Sequence, residues 1–164
     1  MKRLCLLRHA KAVPHGTMND FDRVLAERGR SDMALLALRL AALDPAPDLA
    51  LVSPAARTRE TWALAGLPRV PVRIEEAIYE ASARALLRLV QALPEKVQFA
   101  VLVGHNPGLE DFAASLRAPE HPLRSLPTAG LVLAEWDVPH WRDVRAGDGR
   151  LVSVLPPAAR GGGP

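Results

Sequence analysis

The segment Leu7-Arg8-His9 joins an apolar run to two side chains suited to phosphoryl chemistry. A neutral histidine nitrogen is a nucleophile near pH 7, and the planar guanidinium of arginine matches the oxygens of a phosphate group. Leu4 to Leu7 is continuously apolar, which is typical of a strand covered on both faces. Arg8 and His9 should therefore project from the carboxyl end of a strand, the edge at which open α/β sheets bind ligands.

A second apolar run, Leu49 to Val52, ends in Ser53-Pro54. Serine as N-cap and proline as first helical residue predict a helix from Ala55 to Ala65. Arg57 then falls in the first turn, where a cation opposes the helix dipole unless an anion lies between them. An arginine that reaches past the helix end into solvent is the alternative.

A third apolar run, Phe99 to Val103, stops at Gly104-His105-Asn106-Pro107. Asn106 is the predicted cap and Pro107 the predicted first residue of a helix that ends near Leu116. His105 thus follows its strand as His9 follows the first. Two histidines and two arginines at one rim would repel one another unless an anion were bound, so the pattern predicts an anion site.

The elements that must position these side chains alternate along the chain. Further segments are predicted as helices at Arg30 to Leu43 and Arg84 to Leu93, and as strands at Arg69 to Ile74, Leu131 to Trp136 and Leu151 to Leu155. Pro71 favours an edge position for the third strand or an early place within it. Residues 13–22 form a predicted loop long enough to fold over His9. The alternation predicts an α/β fold, a three-layer sandwich with a mainly parallel central sheet.

Composition limits the function classes. The 164 residues predict one domain over residues 1–157 and a disordered tail over 158–164. The net charge is +3, but the basic residues are scattered and aromatic residues make up only 4%, so we expect no nucleic acid partner. There is no apolar run of about 18 residues and no signal peptide pattern. The single cysteine, Cys5, fits a reducing cytoplasm, and we expect no membrane partner.

As a set, five motifs over residues 1 to 135 resemble the histidine phosphatase superfamily, and within it the short SixA-like phosphohistidine phosphatases. Ala10 stands where many members have glycine, a replacement that SixA-like members tolerate. The resemblance implies a phosphoglycerate mutase-like fold without the extra segments that build a sugar-phosphate pocket in the mutases. The matching segments are Leu7-Arg8-His9-Ala10-Lys11, Arg23-Val24-Leu25-Ala26-Glu27-Arg28-Gly29, Ser53-Pro54-Ala55-Ala56-Arg57-Thr58, Tyr79-Glu80-Ala81-Ser82 and Val103-Gly104-His105-Asn106-Pro107.

The same resemblance implies a mechanism in which His9 attacks phosphorus and becomes phosphohistidine. Arg8, Arg57 and His105 would hold the phosphoryl oxygens, since phosphoryl transfer depends mainly on positioning and charge stabilisation. The two arginines should lower the pKa of His9 and keep it neutral and nucleophilic. We expect no metal and no other cofactor, because no Asp and His cluster has metal-ligand spacing near these strand ends.

Three residues could act as the general acid that protonates the leaving group. Glu80 follows the third strand where related branch members place their acid, whereas Asp22 or Asp20 in the first loop could reach instead. A carboxylate favourable to the start of the next helix, near Ser82, is the structural alternative for Glu80.

Three functions fit this set of residues. The first is a metal-independent phosphatase that acts on phosphohistidine in a protein, since the resemblance implies a shallow, open site that suits a bulky substrate. The second is a small-molecule phosphomonoesterase that uses the same pocket. The third is a module that binds a phosphorylated ligand without turnover, which the retention of both histidines and both arginines disfavours. The oligomeric state and the phosphorylated partner are not fixed by the sequence.

Overall fold

A computed structural model describes residues 1–16, 18–118 and 123–155 of the chain. Within these residues strands and helices alternate as predicted, and the predicted tail lies outside the described residues. The strands are β1 Lys2–Arg8, β2 Leu49–Val52, β3 Val72–Ile74, β4 Phe99–Gly104, β5 Leu131–Trp136 and β6 Arg150–Leu155. The α-helices are α1 Glu27–Ala41, α2 Ala56–Ala63, α3 Ala83–Gln91 and α4 Gly108–Ala114.

The strands form one sheet in the order β3-β2-β4-β1-β5-β6. The first four strands of this order, β3, β2, β4 and β1, are parallel to one another. β5 runs antiparallel to both of its neighbours, β1 and β6. The prediction of a mainly parallel sheet is confirmed, and so is the edge position of β3. Three parallel strands, β2, β4 and β1, lie side by side, so their carboxyl ends meet at one edge.

Side chains of β1 point alternately into two separate apolar cores, one on each face of the sheet. Leu4 and Leu6 pack with residues of α3 and α4, whereas Cys5 and Leu7 pack with residues of α1 and α2. This is the predicted three-layer arrangement of helices, sheet and helices. It also explains why β1 reads as a continuous apolar run, because both of its faces are buried.

Both predicted proline-containing helix starts are wrong in detail. The N-cap of α2 is Ala55 rather than Ser53, and the N-cap of α4 is Pro107 rather than Asn106. The side chains of Ser53 and Asn106 instead bond to residues distant in sequence. A longer-range partner has displaced the local cap in each case. α1 begins three residues before its predicted start at Arg30, and β3 begins three residues after its predicted start at Arg69.

No helix in the described ranges combines the length and the apolar character that crossing a bilayer requires.

Candidate active site

Backbone hydrogen bonds fix the two histidines next to each other. Arg8 at the end of β1 pairs in register with Gly104 at the end of β4, and His9 N–H donates to the Gly104 carbonyl over 3.1 Å. The imidazole rings of His9 and His105 consequently lie with their centroids 5.4 Å apart. His9 and His105 are far apart in the sequence, and they lie side by side because β1 and β4 are neighbours in the sheet.

Arg57 reaches the same point from the start of α2. Its guanidinium is almost fully buried and donates from Nη1 to the Asp20 carbonyl, over 2.8 Å, and from Nη2 to Asp20 Oδ2, over 3.2 Å. The alternative of an arginine extended into solvent is wrong. Asp20 supplies the anion that a cation in the first turn of a helix requires.

These side chains line one cleft of about 320 Å³. Its described lining carries four cationic side chains against one carboxylate, that of Asp20. The cations are Arg8, Lys11, Arg23 and Arg57, and both His9 and His105 also line the cleft. The structure therefore brings together the four side chains predicted for the anion site, in an environment with an excess of positive charge.

Several buried polar atoms at this cleft have no hydrogen-bond partner among the described residues. They are Arg8 Nε, Arg57 Nε, His105 Nδ1 and Asn106 Oδ1. The two guanidinium nitrogens are donors, and buried donors without an acceptor are costly. Arg8 and Arg57 therefore each keep one donor without an acceptor among the described residues.

The tautomer of His9 is set by the backbone beside it. His9 Nδ1 lies 2.7 Å from the Ala10 carbonyl oxygen, which can only accept, so Nδ1 carries the proton. Nε2 is left as a free lone pair. Burial lowers the pKa of His9 to about 3, with further contributions from the nearby His105, Arg57 and Arg8. His9 is therefore neutral near pH 7, as the proposed role of a nucleophile requires, and the predicted effect of the arginines on its pKa is smaller than that of burial.

His105 is neutral as well. Burial, followed by the charge of Arg57, lowers its pKa to about 4. Its Nε2 lies 2.7 Å from Ser53 Oγ, and Ser53 is completely buried at the end of β2. Ser53 is a site residue that sequence reasoning missed, because serine before proline reads as a helix cap.

Thr61 connects the loop after β1 to helix α2. Its Oγ1 accepts a hydrogen bond from Ala10 N–H over 3.0 Å and donates one to the Arg57 carbonyl over 2.7 Å. The two segments that carry His9 and Arg57 are therefore tied together through one buried hydroxyl.

Asp20 organises the rim of the cleft. It accepts hydrogen bonds from Tyr79 Oη over 2.6 Å and from Arg23 Nε over 3.0 Å, in addition to those from Arg57. The Tyr79 hydrogen bond, assisted by Arg23 and Arg57, holds the pKa of Asp20 well below its usual range. Arg23 and Tyr79 lay inside matched motifs without an assigned role. The Asp-x-x-Arg spacing is the sequence signal that could have paired Asp20 with Arg23.

The three candidate acids occupy different places. Glu80 is exposed and lines a second cavity of about 480 Å³, which shares Asp20, Arg57, His105 and Asn106 with the cleft. Glu80 has a left-handed backbone, with φ at 58°, and precedes the α3 N-cap Ser82 by two residues. Asp22 is exposed and lines neither cavity.

Metal ligands are not grouped in the described part of the chain, where no three His, Cys, Asp or Glu side chains are arranged to hold an ion.

The comparisons with known proteins agree with this geometry. Residues 4–105 match the model of the histidine phosphatase superfamily, branch 1. This chain belongs to that superfamily. The match runs from within β1 to the residue after β4 and includes all four side chains of the predicted anion site. The protein is accordingly a phosphatase.

Solved structures of the superfamily resemble the chain over almost its full length. A protein of Agrobacterium tumefaciens, provisionally identified as the phosphohistidine phosphatase SixA, is 31% identical, with a TM-score of 0.80 and coverage of 96% of this chain and 99% of that one. A counterpart from Nakamurella multipartitia, with the same provisional identification, is 26% identical, with a TM-score of 0.85 and coverage of 96% and 97%. An uncharacterized protein of Mycobacterium tuberculosis is 31% identical over 159 residues, which cover 92% of this chain and 99% of that protein.

Proposed function

We propose that the protein is a metal-independent phosphatase that removes the phosphoryl group from phosphohistidine in another protein, through a phosphohistidine of its own at His9. The observation that carries the proposal is the free Nε2 of a buried, neutral His9, which lies in a cleft lined by cationic side chains. Such a site combines a nucleophile with charge stabilisation of the transferred group.

The first step transfers the phosphoryl group to the enzyme. His9 Nε2 forms a bond to phosphorus while the bond between phosphorus and the substrate nitrogen breaks, and the leaving imidazole takes up a proton. Arg8, Arg57 and His105, which line the cleft, hold the three equatorial phosphoryl oxygens, while the attacking and the leaving nitrogen lie in line on opposite sides of phosphorus. In the second step a water oxygen bonds to phosphorus as the water gives a proton to the Glu80 carboxylate, the bond from phosphorus to Nε2 breaks, and phosphate and neutral His9 result.

Glu80 is the proposed acid and base. It lines the cavity that adjoins the cleft at His105 and Arg57, where the leaving group of a bound substrate would lie. Asp20 is unsuited to give up a proton, because its hydrogen bonds to Tyr79, Arg23 and Arg57 keep it ionised. Asp22 is a weaker candidate because it lines neither cavity.

The shape of the site and the similar solved structures both favour a phosphohistidine in a folded protein as the substrate. The cleft and its adjoining cavity lie on the surface between loops, with one helix and one strand between Glu80 and His105. This arrangement admits a side chain that protrudes from a folded protein. Two of the similar solved structures are provisionally identified as phosphohistidine phosphatases, and both exceed 25% identity.

A comparison of substrates tests the proposal. We expect kcat/KM for a phosphohistidine peptide to exceed that for p-nitrophenyl phosphate, and both to exceed that for hexose phosphates. Each rate should fall by several orders of magnitude in His9→Asn. Preference for a sugar phosphate would instead assign the protein to small-molecule phosphomonoesterases. Tight binding of the phosphohistidine peptide without release of phosphate would identify a binding module.

A further inference from the structure

The two ring nitrogens of His105 have different surroundings. Nε2 lies 2.7 Å from Ser53 Oγ, whereas Nδ1 is buried and has no partner among the described residues. His105 lines the cleft, and Nδ1 is the ring nitrogen whose hydrogen bond is left open. A nitrogen that faces a phosphoryl oxygen must carry a proton, because its bare lone pair would repel the oxygen.

The Ser53 hydroxyl is held firmly in its place. Its side chain is completely buried, and Ser53 N–H donates to the Val103 carbonyl of β4 over 3.1 Å. Ser53 lines neither of the two cavities, so it acts on a bound substrate only through His105.

The contacts of Ser53 Oγ indicate which group is the donor in its hydrogen bond with His105 Nε2. Its other described contact is Ala55 N–H, at 3.5 Å, in which the hydroxyl oxygen is the acceptor. The hydroxyl hydrogen is consequently available for His105 Nε2. If Nε2 itself carried a proton, the Ser53 hydrogen would be a buried donor without an acceptor among its described contacts. Because His105 is neutral, it has one proton to place.

We propose that Ser53 is a positioning residue, whose hydroxyl donates to His105 Nε2 and thereby keeps the His105 proton on Nδ1, where it serves the transferred phosphoryl group. The catalytic part of this inference rests on the proposed function. The tautomer itself is a property of the free protein, and it is measurable without a substrate.

Long-range ¹H–¹⁵N spectra of the wild-type histidine rings at pH 7 test the tautomer directly. The His105 signals are assigned by their loss in His105→Asn. We expect Nδ1 to resonate as a protonated nitrogen and Nε2 as an unprotonated nitrogen in a hydrogen bond. A protonated Nε2 with a bare Nδ1 in the wild-type protein would overturn the proposal, whether or not any variant folds.

Ser53→Ala removes one oxygen and tests the consequence. We expect protonation to move substantially to Nε2, the affinity for inorganic phosphate to fall, and kcat/KM for a phosphohistidine peptide to fall by about 10- to 100-fold, the range typical of groups that orient a ligand. Ser53→Thr keeps the hydroxyl and should retain the wild-type tautomer. Unchanged spectra and unchanged phosphate affinity in Ser53→Ala would contradict the proposal.

Thr58→Val is the matched control. It also removes a buried hydroxyl, one that bonds to the same segment, and its described hydrogen bonds do not include either histidine. We expect it to lose stability but to keep the His105 tautomer and the phosphate affinity. An equal loss of both properties in Thr58→Val and Ser53→Ala would reduce Ser53 to a structural role. Failure of the wild-type protein to turn over any phosphorylated substrate would instead contradict the proposed function and leave the tautomer result standing.

Discussion

At the scale of single residues, the chemistry depends on two histidines that burial keeps neutral. The Ala10 carbonyl leaves His9 Nε2 bare, and burial is the largest cause of the low pKa of both His9 and His105. Nearby arginines contribute in the same direction. The proposed nucleophile, His9 Nε2, therefore needs no separate base to deprotonate it at neutral pH.

The two depressed pKa values predict how stability depends on pH. In the unfolded chain a histidine takes up a proton near pH 6.5, whereas in the folded protein His9 does so near 3 and His105 near 4. Between these limits the unfolded state binds more protons, so the free energy of unfolding should fall as the pH is lowered from about 6.5 to about 4.

Urea denaturation at intervals from pH 7.5 to 4.5 measures this slope. We expect a shallower slope in the double variant His9→Asn and His105→Asn than in the wild type. Comparison of the two proteins at pH 7.5 separates out the loss of stability that does not depend on pH. Equal slopes in both proteins would show that neither histidine is protonated more easily in the unfolded chain.

Glu80 offers a second test at this scale, because the need for an acid depends on the leaving group. The imidazole of a phosphohistidine substrate leaves readily once it is protonated, whereas an alkoxide is a poor leaving group. We expect Glu80→Gln to lower kcat by less than about tenfold on a phosphohistidine peptide and by about 10²- to 10⁴-fold on an alkyl phosphate.

Asp22→Asn is the control for Glu80→Gln, since Asp22 is a nearby exposed carboxylate that lines neither cavity. Its rates on both substrates should match those of the wild type. If Asp22→Asn produced the larger loss on the alkyl phosphate, the acid would have to be reassigned to Asp22.

Residue types predicted the four side chains of the anion site but not the contacts that tune them. An arginine or histidine after an apolar strand is visible in the sequence. The pairing of Ser53 with His105 spans 52 residues and depends on two strands lying side by side. Local sequence patterns indicate a helix cap for such a serine, because they do not show that His105 lies beside it once β2 pairs with β4.

At the scale of elements, the site is the meeting point of three strand ends. β2, β4 and β1 are consecutive in the sheet, and hydrogen bonds from Ser53 N–H and His9 N–H to β4 carbonyls continue the strand pairing into the loops. The continuous apolar runs predicted these strands well, because buried parallel strands leave that pattern. The strand order was not predictable from the runs themselves.

Helix α4 carries a packing constraint that affects the site. A Cβ atom added at Gly108 would overlap the Ala81 carbonyl oxygen in the connection that precedes α3. We expect Gly108→Ala to force α4 away from this connection, with a loss of about 1–3 kcal/mol of stability, or about 2–10 °C in Tm. Because His105 lies three residues before Gly108, kcat/KM should fall as well. Calorimetry and initial rates measure the two effects.

Gly147→Ala is the matched control for Gly108→Ala, since a Cβ atom there would meet nothing within 4 Å. Its Tm should stay within about 2 °C of the wild type, and its activity should be unchanged. If Gly108→Ala had the same Tm and the same rates as Gly147→Ala, the start of α4 would have to shift enough to accommodate the added Cβ atom without cost.

At the scale of the whole molecule, the fold places positive charge at one edge of the sheet. The chain as a whole has a net charge of only +3, yet the cleft is lined by four cationic side chains and one carboxylate among its described residues. Basic residues that are scattered along the sequence therefore come together in one cleft after folding, as the proposed anion site requires. The two apolar cores on either face of the sheet hold this edge in place.

This concentration of cations predicts metal-independent turnover. Arginine side chains supply the charge stabilisation that metal ions provide in many other phosphatases. We expect phosphatase activity to be unchanged after prolonged dialysis against EDTA and to gain nothing from added Mg²⁺, Mn²⁺ or Zn²⁺. Loss of activity on chelation, with recovery on adding back one metal, would contradict this part of the account.

Trapping the phosphorylated enzyme tests directly whether His9 carries the phosphoryl group during turnover. A ³²P-labelled phosphohistidine peptide is mixed with the enzyme, quenched in alkali and analysed by mass spectrometry. The account predicts one alkali-stable, acid-labile phosphoryl group on His9, and no such group in His9→Asn. Turnover that persists in His9→Asn, or a stable label on any residue other than His9, would contradict it.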